Sequence, residues 1–437
     1  MRKMAESEEE VDVLVQRVVK DIATAFRRNP NINEIGLIPC LEARYNRSPI
    51  VLLENKLGIE SWCVKLLLPS VHSKLVLYRQ RKLWLDRDAL TDLTCTLLLL
   101  NPDFTTAWNV RKELVQLGAL DPFKDLYLGK LALTKFPKSP ETWIHRRWVF
   151  QKVVQEICLL NSRNGVNSGM LSTDQMYRII QDEMAVCSSA AGRYPSNYNA
   201  WSHRIWILQH VAKCNLKILL DELSNTKYWV STHVSDHSGF HYRQFLLKSV
   251  AGNSRGPAVA NAGAGFSRKP SSKDHCTSLP MHVKQEGASA DTHAIDVPLM
   301  IEEEMELCTD LIESYPGHEA LWSHRRSVFY LWHCWNRDRL QVLSDSSNRS
   351  EGTKDNVQMA TAGSYSARGI DGDAVADRAK QGYTQDIKRL KRGPSLDLHS
   401  LLEEHRFIDA ILAGCTNLEQ ARFATAYRKW LDMVIGQ

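Results

Sequence analysis

Three histidine–arginine pairs stand one turn after a tryptophan in this chain: "WIHRRW" from Trp143, "WSHRIW" from Trp201 and "WSHRRS" from Trp322. A histidine can shuttle protons, and a neighbouring arginine can hold an anion, so each string holds the parts of a small acid–base site. Repetition argues against that use. An active site is used once, whereas a packing device recurs in every repeat. His145, His203 and His324 have no serine–carboxylate or paired-carboxylate constellation beside them. No phosphate-binding glycine loop is present either.

The string recurs in weaker form. "FTTAWNVRKEL" carries Trp108 and Arg111, and "HSGFHYRQFLL" carries Phe240 and Arg243. Four copies place a proline six residues before the aromatic, at Pro102, Pro137, Pro195 and Pro316, and the Phe240 copy has Val234 there. The aromatics at 108, 143, 201, 240 and 322 are 35, 58, 39 and 82 residues apart. Two intervals suit a two-helix repeat, and the others suit such repeats with insertions. On a helix, positions i and i+3 share a face, so Arg146, Arg204 and Arg325 lie one turn from Trp143, Trp201 and Trp322. The indoles are expected to fill gaps between hairpins. The guanidiniums can stack on aromatics or reach carbonyls at the end of a neighbouring helix. Arg147 and Arg326, the second arginines of two copies, belong to the same motif.

Around this array the elements follow from pattern. Val11 to Phe26 predicts an amphipathic helix that "NPN" ends, and a mixed segment of short extended pieces or loops runs to about Leu68. "SVHSKLVLYRQRKLWL" and "RDALTDLTCTLLLL" are helical by period. In "KFPKSPETW" one helix ends at Phe136, and Ser139 caps the next with Pro140 at its first position. The division is an N-terminal extension over 1–68, a repeat array over 69–343, and closing helices over 397–437. Residues 251–297, within the array, and 344–396 are poor in apolar periodicity and are expected to be disordered insertions. A shorter insertion, "NSRNGVNSGMLST", accounts for the 58-residue interval.

Composition narrows the function classes. A net charge of +5 over 437 residues is modest and argues against a nucleic-acid footprint. Ten cysteines include no CxxC pair, so neither zinc ligation nor a disulfide framework is signalled. His275, Cys276 and His282 lie in a low-complexity stretch and are not read as ligands. The basic "DIKRLKRG" around Lys388 reads as a solvated flank. The N-terminus turns acidic where a signal peptide would turn apolar, and no apolar run is long enough to span a bilayer. A cytoplasmic setting is expected.

Pro, a short polar cap, Trp-x-x-Arg and an apolar run together resemble the repeat of protein prenyltransferase alpha subunits, over roughly residues 70–340. The resemblance implies an all-α fold: a right-handed α-α superhelix, a crescent of five helical hairpins wrapping a separate beta subunit. It implies a heterodimeric protein prenyltransferase, most similar to a geranylgeranyltransferase with a Rab-type beta subunit. Catalytic zinc is then expected on the beta subunit, with no cofactor on this chain. Read alone, Lys138 is a solvated loop lysine and Tyr198 a helix-entry packing residue. The resemblance implies that Lys138, just after Pro137, contacts the prenyl diphosphate. It also implies that Tyr198 and Asn199 contribute to substrate binding. Pro140 stands where relatives have a tyrosine, and Asn199 where farnesyltransferase has a histidine. A non-catalytic repeat scaffold for protein partners is the second function class.

Overall fold

The computed structural model describes residues 2–40, 47–163, 169–253, 296–350 and 398–435. It separates into two compact units, Met1–Ile218 and Leu219–Gln437. Each is built mainly of antiparallel helical hairpins.

The first unit opens with α1 (Arg2–Arg28). Leu14, Val15, Val18 and Ile22 form one buried stripe along it, as the sequence period predicts. The mixed segment that follows is a three-stranded sheet of β1 (Glu34–Ile38), β2 (Ile50–Leu53) and β3 (Lys56–Glu60), in the order β1-β3-β2. The β1–β3 pair is parallel, with Glu34 opposite Lys56, and β2–β3 is antiparallel, with Leu52 opposite Leu57. Thr134 accepts the Ile35 amide proton at 3.2 Å, which ties β1 to the helices.

Next come α2 (Ser61–Arg79), α3 (Arg87–Leu100), α4 (Thr105–Gln116), α5 (Pro122–Lys135), α6 (Pro140–Arg163), α7 (Gly169–Arg193) and α8 (Tyr198–His210). Helix α2 begins eight residues before the expected boundary and passes through Pro69. It stops at Arg79, so "QRKLWL" leaves the helix; Arg81 there has φ 58°.

Helix α9 (Leu216–Thr232) carries the chain into the second unit. That unit continues with α10 (His237–Asn253), α11 (Val297–Ser314), α12 (Glu319–Ser350), α13 (Leu398–Gly414) and α14 (Leu418–Val434). Three expected insertion boundaries therefore move. Asp296 caps α11 and Val297 opens it. Residues 251–253 finish α10, and α12 runs on to Ser350. The remainder of the expected disordered stretches, 254–295 and 351–396, lies outside the described residues, as does 164–168 of the shorter insertion.

Local side chains set where these helices start. Asp86, Asp121, Asn197, Asp296 and Asn417 each accept a backbone N–H from the first turn of α3, α5, α8, α11 and α14. At α6 the expected cap is present: Ser139 Oγ accepts the Thr142 amide proton at 3.3 Å, and Pro140 is the first helical residue. Helix ends defined this way hold the Trp and Arg positions of successive hairpins in a common register.

Candidate functional site

The tryptophans are core residues. Trp108, Trp143, Trp201 and Trp322 are buried, as is Phe240. The recurring proline has a specific use in the first two copies. Trp108 Nε1 donates to the Pro102 carbonyl at 2.7 Å, and Trp143 Nε1 donates to the Pro137 carbonyl at 3.1 Å. In the fifth copy Trp322 Nε1 donates instead to Gln420 Oε1 at 3.1 Å. Phenylalanine has no N–H to satisfy, and the Phe240 copy is the one with Val234 in place of proline.

The arginines are buried beside them and spend their protons within the fold. In all five copies the guanidinium reaches the carbonyl 20 residues earlier, on the first helix of its own hairpin: Arg111 to Thr91, Arg146 to Leu126, Arg204 to Met184, Arg243 to Leu223 and Arg325 to Met305. A hydroxyl one turn further along that helix is bonded in four of them: Thr94, Ser188, Thr226 and Thr309. A carbonyl contact is what the motif predicts, but it falls within the neighbouring helix and not at its end, as with Met184 in α7 and Met305 in α11.

The carboxylates are partners that the motif does not predict. Arg146 makes a fork with Glu183 at 3.0 and 2.5 Å, Arg243 with Glu304 at 2.8 and 2.5 Å, and Arg325 with Glu404 at 2.9 and 2.6 Å. Arg111 Nε reaches Asp125 at 2.5 Å. Each acid stands on the first helix of the following hairpin, so one ion pair joins two repeats. The same acids then accept from the residue preceding the next arginine. His145 bonds Asp125 at 2.6 Å, His203 bonds Glu183 at 2.7 Å and His324 bonds Glu304 at 2.7 Å. Tyrosine serves in other copies, with Tyr242 donating to Glu222, and Tyr427 to Glu404 at 2.8 Å. A sequence signal for this exists: an acid stands 20 residues before His145, His203, Tyr242 and His324.

The tryptophan of one hairpin also packs on the histidine or tyrosine of the next. Trp108 lies on His145 with ring centres 4.3 Å apart, Trp143 on His203 at 5.0 Å and Trp322 on Tyr427 at 5.8 Å. Helix α14 thus repeats the pattern in reduced form, with Thr425 where the tryptophan would stand and Arg428 turned to the exposed Asp409.

These contacts assign charge states. Burial lowers the His145 and His203 pKa values, overriding the raising effect of their carboxylates, and both are neutral. Arg147 donates to His203 Nδ1 at 3.3 Å, which leaves Nε2 as the protonated nitrogen facing Glu183. For Asp125, Glu183 and Glu304, burial opposes ionisation, but the paired arginine and histidine outweigh it. The glutamates are pulled down to about 2. The signs for histidine and acid agree. The folded form takes up protons later than the unfolded chain, so stability should fall on acidification. The loss should begin as pH drops below the ordinary histidine value of 6.5, and continue from 4.5 towards about 2 as Glu183 and Glu304 lose their charge. Urea midpoints measured from about pH 7.5 down to about pH 4 check this, and a flat series contradicts it.

The residues expected to meet ligand lie elsewhere. Lys138 is exposed in the α5–α6 loop, its Nζ 4.3 Å from the centre of the Tyr194 ring. Asn199 Nδ2 donates to the Lys138 carbonyl at 2.9 Å, and Asn197 Nδ2 to the Pro137 carbonyl at 2.8 Å. Tyr198 opens α8 and is 68% exposed. The fold therefore brings Lys138, Tyr198 and Asn199 to adjoining loops. Of the second arginines, Arg147 donates to Ser202 and lies over Trp206, whereas Arg326 is half-buried on α12.

Comparison with known proteins places this arrangement. The protein prenyltransferase alpha subunit repeat matches residues 180–211, 219–250 and 301–332, which hold the copies of Trp201, Phe240 and Trp322. The chain is 62% identical over 439 residues to "Protein prenyltransferase alpha subunit repeat-containing protein 1" of Danio rerio, covering 99% of this chain and 100% of that one. Identity to the Homo sapiens protein of the same name is 59% over 428 residues, covering 98% and 99%. A more distant likeness, 26% over 173 residues and covering 37% of this chain and 26% of the relative, is to "Geranylgeranyl transferase type-2 subunit alpha" of Mus musculus. With end-to-end relatives at this identity and the repeat matched three times, the chain belongs to the family of protein prenyltransferase alpha subunit repeat-containing proteins.

Proposed function

We propose that this chain is the alpha-type subunit of a heterodimeric protein prenyltransferase. On this reading it pairs with a beta subunit of the Rab geranylgeranyltransferase type and moves a geranylgeranyl group onto a protein cysteine. The observation that carries the proposal is Lys138. The arginines at the first motif position are used up in the interior, whereas this cation is exposed and forms no ion pair among the described residues. Its loop is held by Asn197 and Asn199. The likeness to geranylgeranyl transferase type-2 alpha subunits supports the choice of donor and partner class.

The chemistry assigned to this chain is electrostatic. As the bond between C1 of the isoprenoid and the diphosphate breaks, negative charge collects on the leaving oxygens. An ammonium fixed beside them stabilises that charge more than it stabilises the bound ground state. Tyr198 and Asn199 border the same place, Asn199 by fixing the loop backbone. The zinc that activates the acceptor cysteine is assigned to the beta subunit. Among the described residues no three His, Cys, Asp or Glu side chains are arranged to hold a metal ion.

The test is coexpression with that beta subunit, then single-turnover prenylation of a cysteine-ending substrate. Lys138→Ala should slow transfer by roughly ten- to a thousandfold, the range for losing one charge-stabilising donor, with subunit association unchanged. A Lys138→Ala complex that assembles and turns over at the unmodified rate would remove this chain's one assigned charge-stabilising residue, leaving it an assembly role in the complex. Failure to associate with the beta subunit would support a non-catalytic scaffold instead.

A further inference from the structure

The first unit contains a cavity of about 550 Å³ between α1, α3 and the start of α5. That volume is in the range of pockets that bury small molecules. Phe26 and Tyr127 form one corner, ring centres 6.2 Å apart and planes at 86°. Tyr127 commits its hydroxyl to the Ile32 carbonyl at 2.6 Å, so it offers the cavity an apolar ring. Phe123 also lines the space and remains 49% exposed, an apolar surface that an occupant would cover.

Most polar groups on this wall are already used. Arg111 is held by Asp125, Thr91 bonds the Arg87 carbonyl, and Asp121 caps α5. Asp92 differs. It lines the cavity, half-buried, and its carboxyl has no hydrogen bond or ion pair to any described residue. Burial raises its pKa, and the nearby Arg27 charge offsets this only in part. A carboxyl placed so, without a partner, gains most from a ligand that brings a charged donor.

We propose that this cavity binds a small amphiphile with an apolar body and a protonated amine, the amine pairing with Asp92. The opposite polarity, an anionic head on Arg27 and Lys124, is the weaker choice. Those two side chains are exposed at the rim, where water screens an ion pair, whereas Asp92 is half-buried.

The experiment is calorimetric titration of the full chain with three probes of one skeleton: 4-phenylbutylamine, 4-phenylbutanol and 4-phenylbutanoate. The amine should bind about tenfold or more tighter than the alcohol or the carboxylate, as a charge-assisted contact would give. Asp92→Asn should reduce the amine to the level of the alcohol while leaving the melting temperature in place. Ala23→Leu, which fills the cavity from α1, should abolish binding of both. The proposal is overturned by any of four results: no probe binds, the carboxylate binds as well as the amine, Asp92→Asn keeps the preference, or Ala23→Leu binds unchanged.

Discussion

Glu183→Ala should destabilise the first unit by roughly 3–5 kcal/mol, the cost of leaving a buried charge without its partner. Arg146 is 2% exposed and Glu183 3%. Removing the acid strands the guanidinium, and it also removes the acceptor for His203. The Leu126 carbonyl alone cannot compensate a full charge in that setting. The double variant Arg146→Met, Glu183→Met should recover much of the loss, because an apolar pair of similar volume has no desolvation cost to offset. Urea unfolding of the three proteins gives the comparison. A single variant within about 1 kcal/mol of the unmodified chain would mean that the forks between hairpins are marginal to stability.

Trp108→Ala is the second large effect, again roughly 3–5 kcal/mol, from lost burial and the cavity left behind. The indole is 1% exposed, stacks on His145 and donates to Pro102. Emptying it removes a contact between two hairpins and leaves a carbonyl that had a donor. Trp84 provides the control. It is 81% exposed, and Trp84→Ala should stay within about 0.5 kcal/mol. Equal melting temperatures for the two variants would show that the motif tryptophan is not a core element.

Parts of the candidate site are legible in the amino-acid sequence alone, and the reason is range. Lys138 follows Pro137 in a loop, and Ser139 and Pro140 act over three or four residues at the start of α6, so their positions are read directly. The N-terminal sheet is not legible in this way. Its β1–β3 pairing is parallel and joins Glu34 to Lys56 over a stretch that contains β2, so no local turn signal can announce it, and alternation in single short strands is weak evidence. The cavity beside Asp92 leaves no trace in the sequence for the same reason. It exists only where α1, α3 and α5 meet.

The sequence by itself determined that this is a helical repeat protein, where the Trp143 helix begins, and that Arg lies one turn after the aromatic. Those follow from helical period and capping, which are local. Only the tertiary structure decided what the arginines and histidines are for. Arg146 and Glu183 are 37 residues apart, Arg243 and Glu304 are 61, and Arg325 and Glu404 are 79. The separation varies with each insertion while the packed distance does not. A buried guanidinium takes the acid that helix packing brings within about 3 Å. Asp125, Glu183 and Glu304 each stand 20 residues before the histidine of their own repeat, a spacing that gains its meaning only once the packing shows the pair.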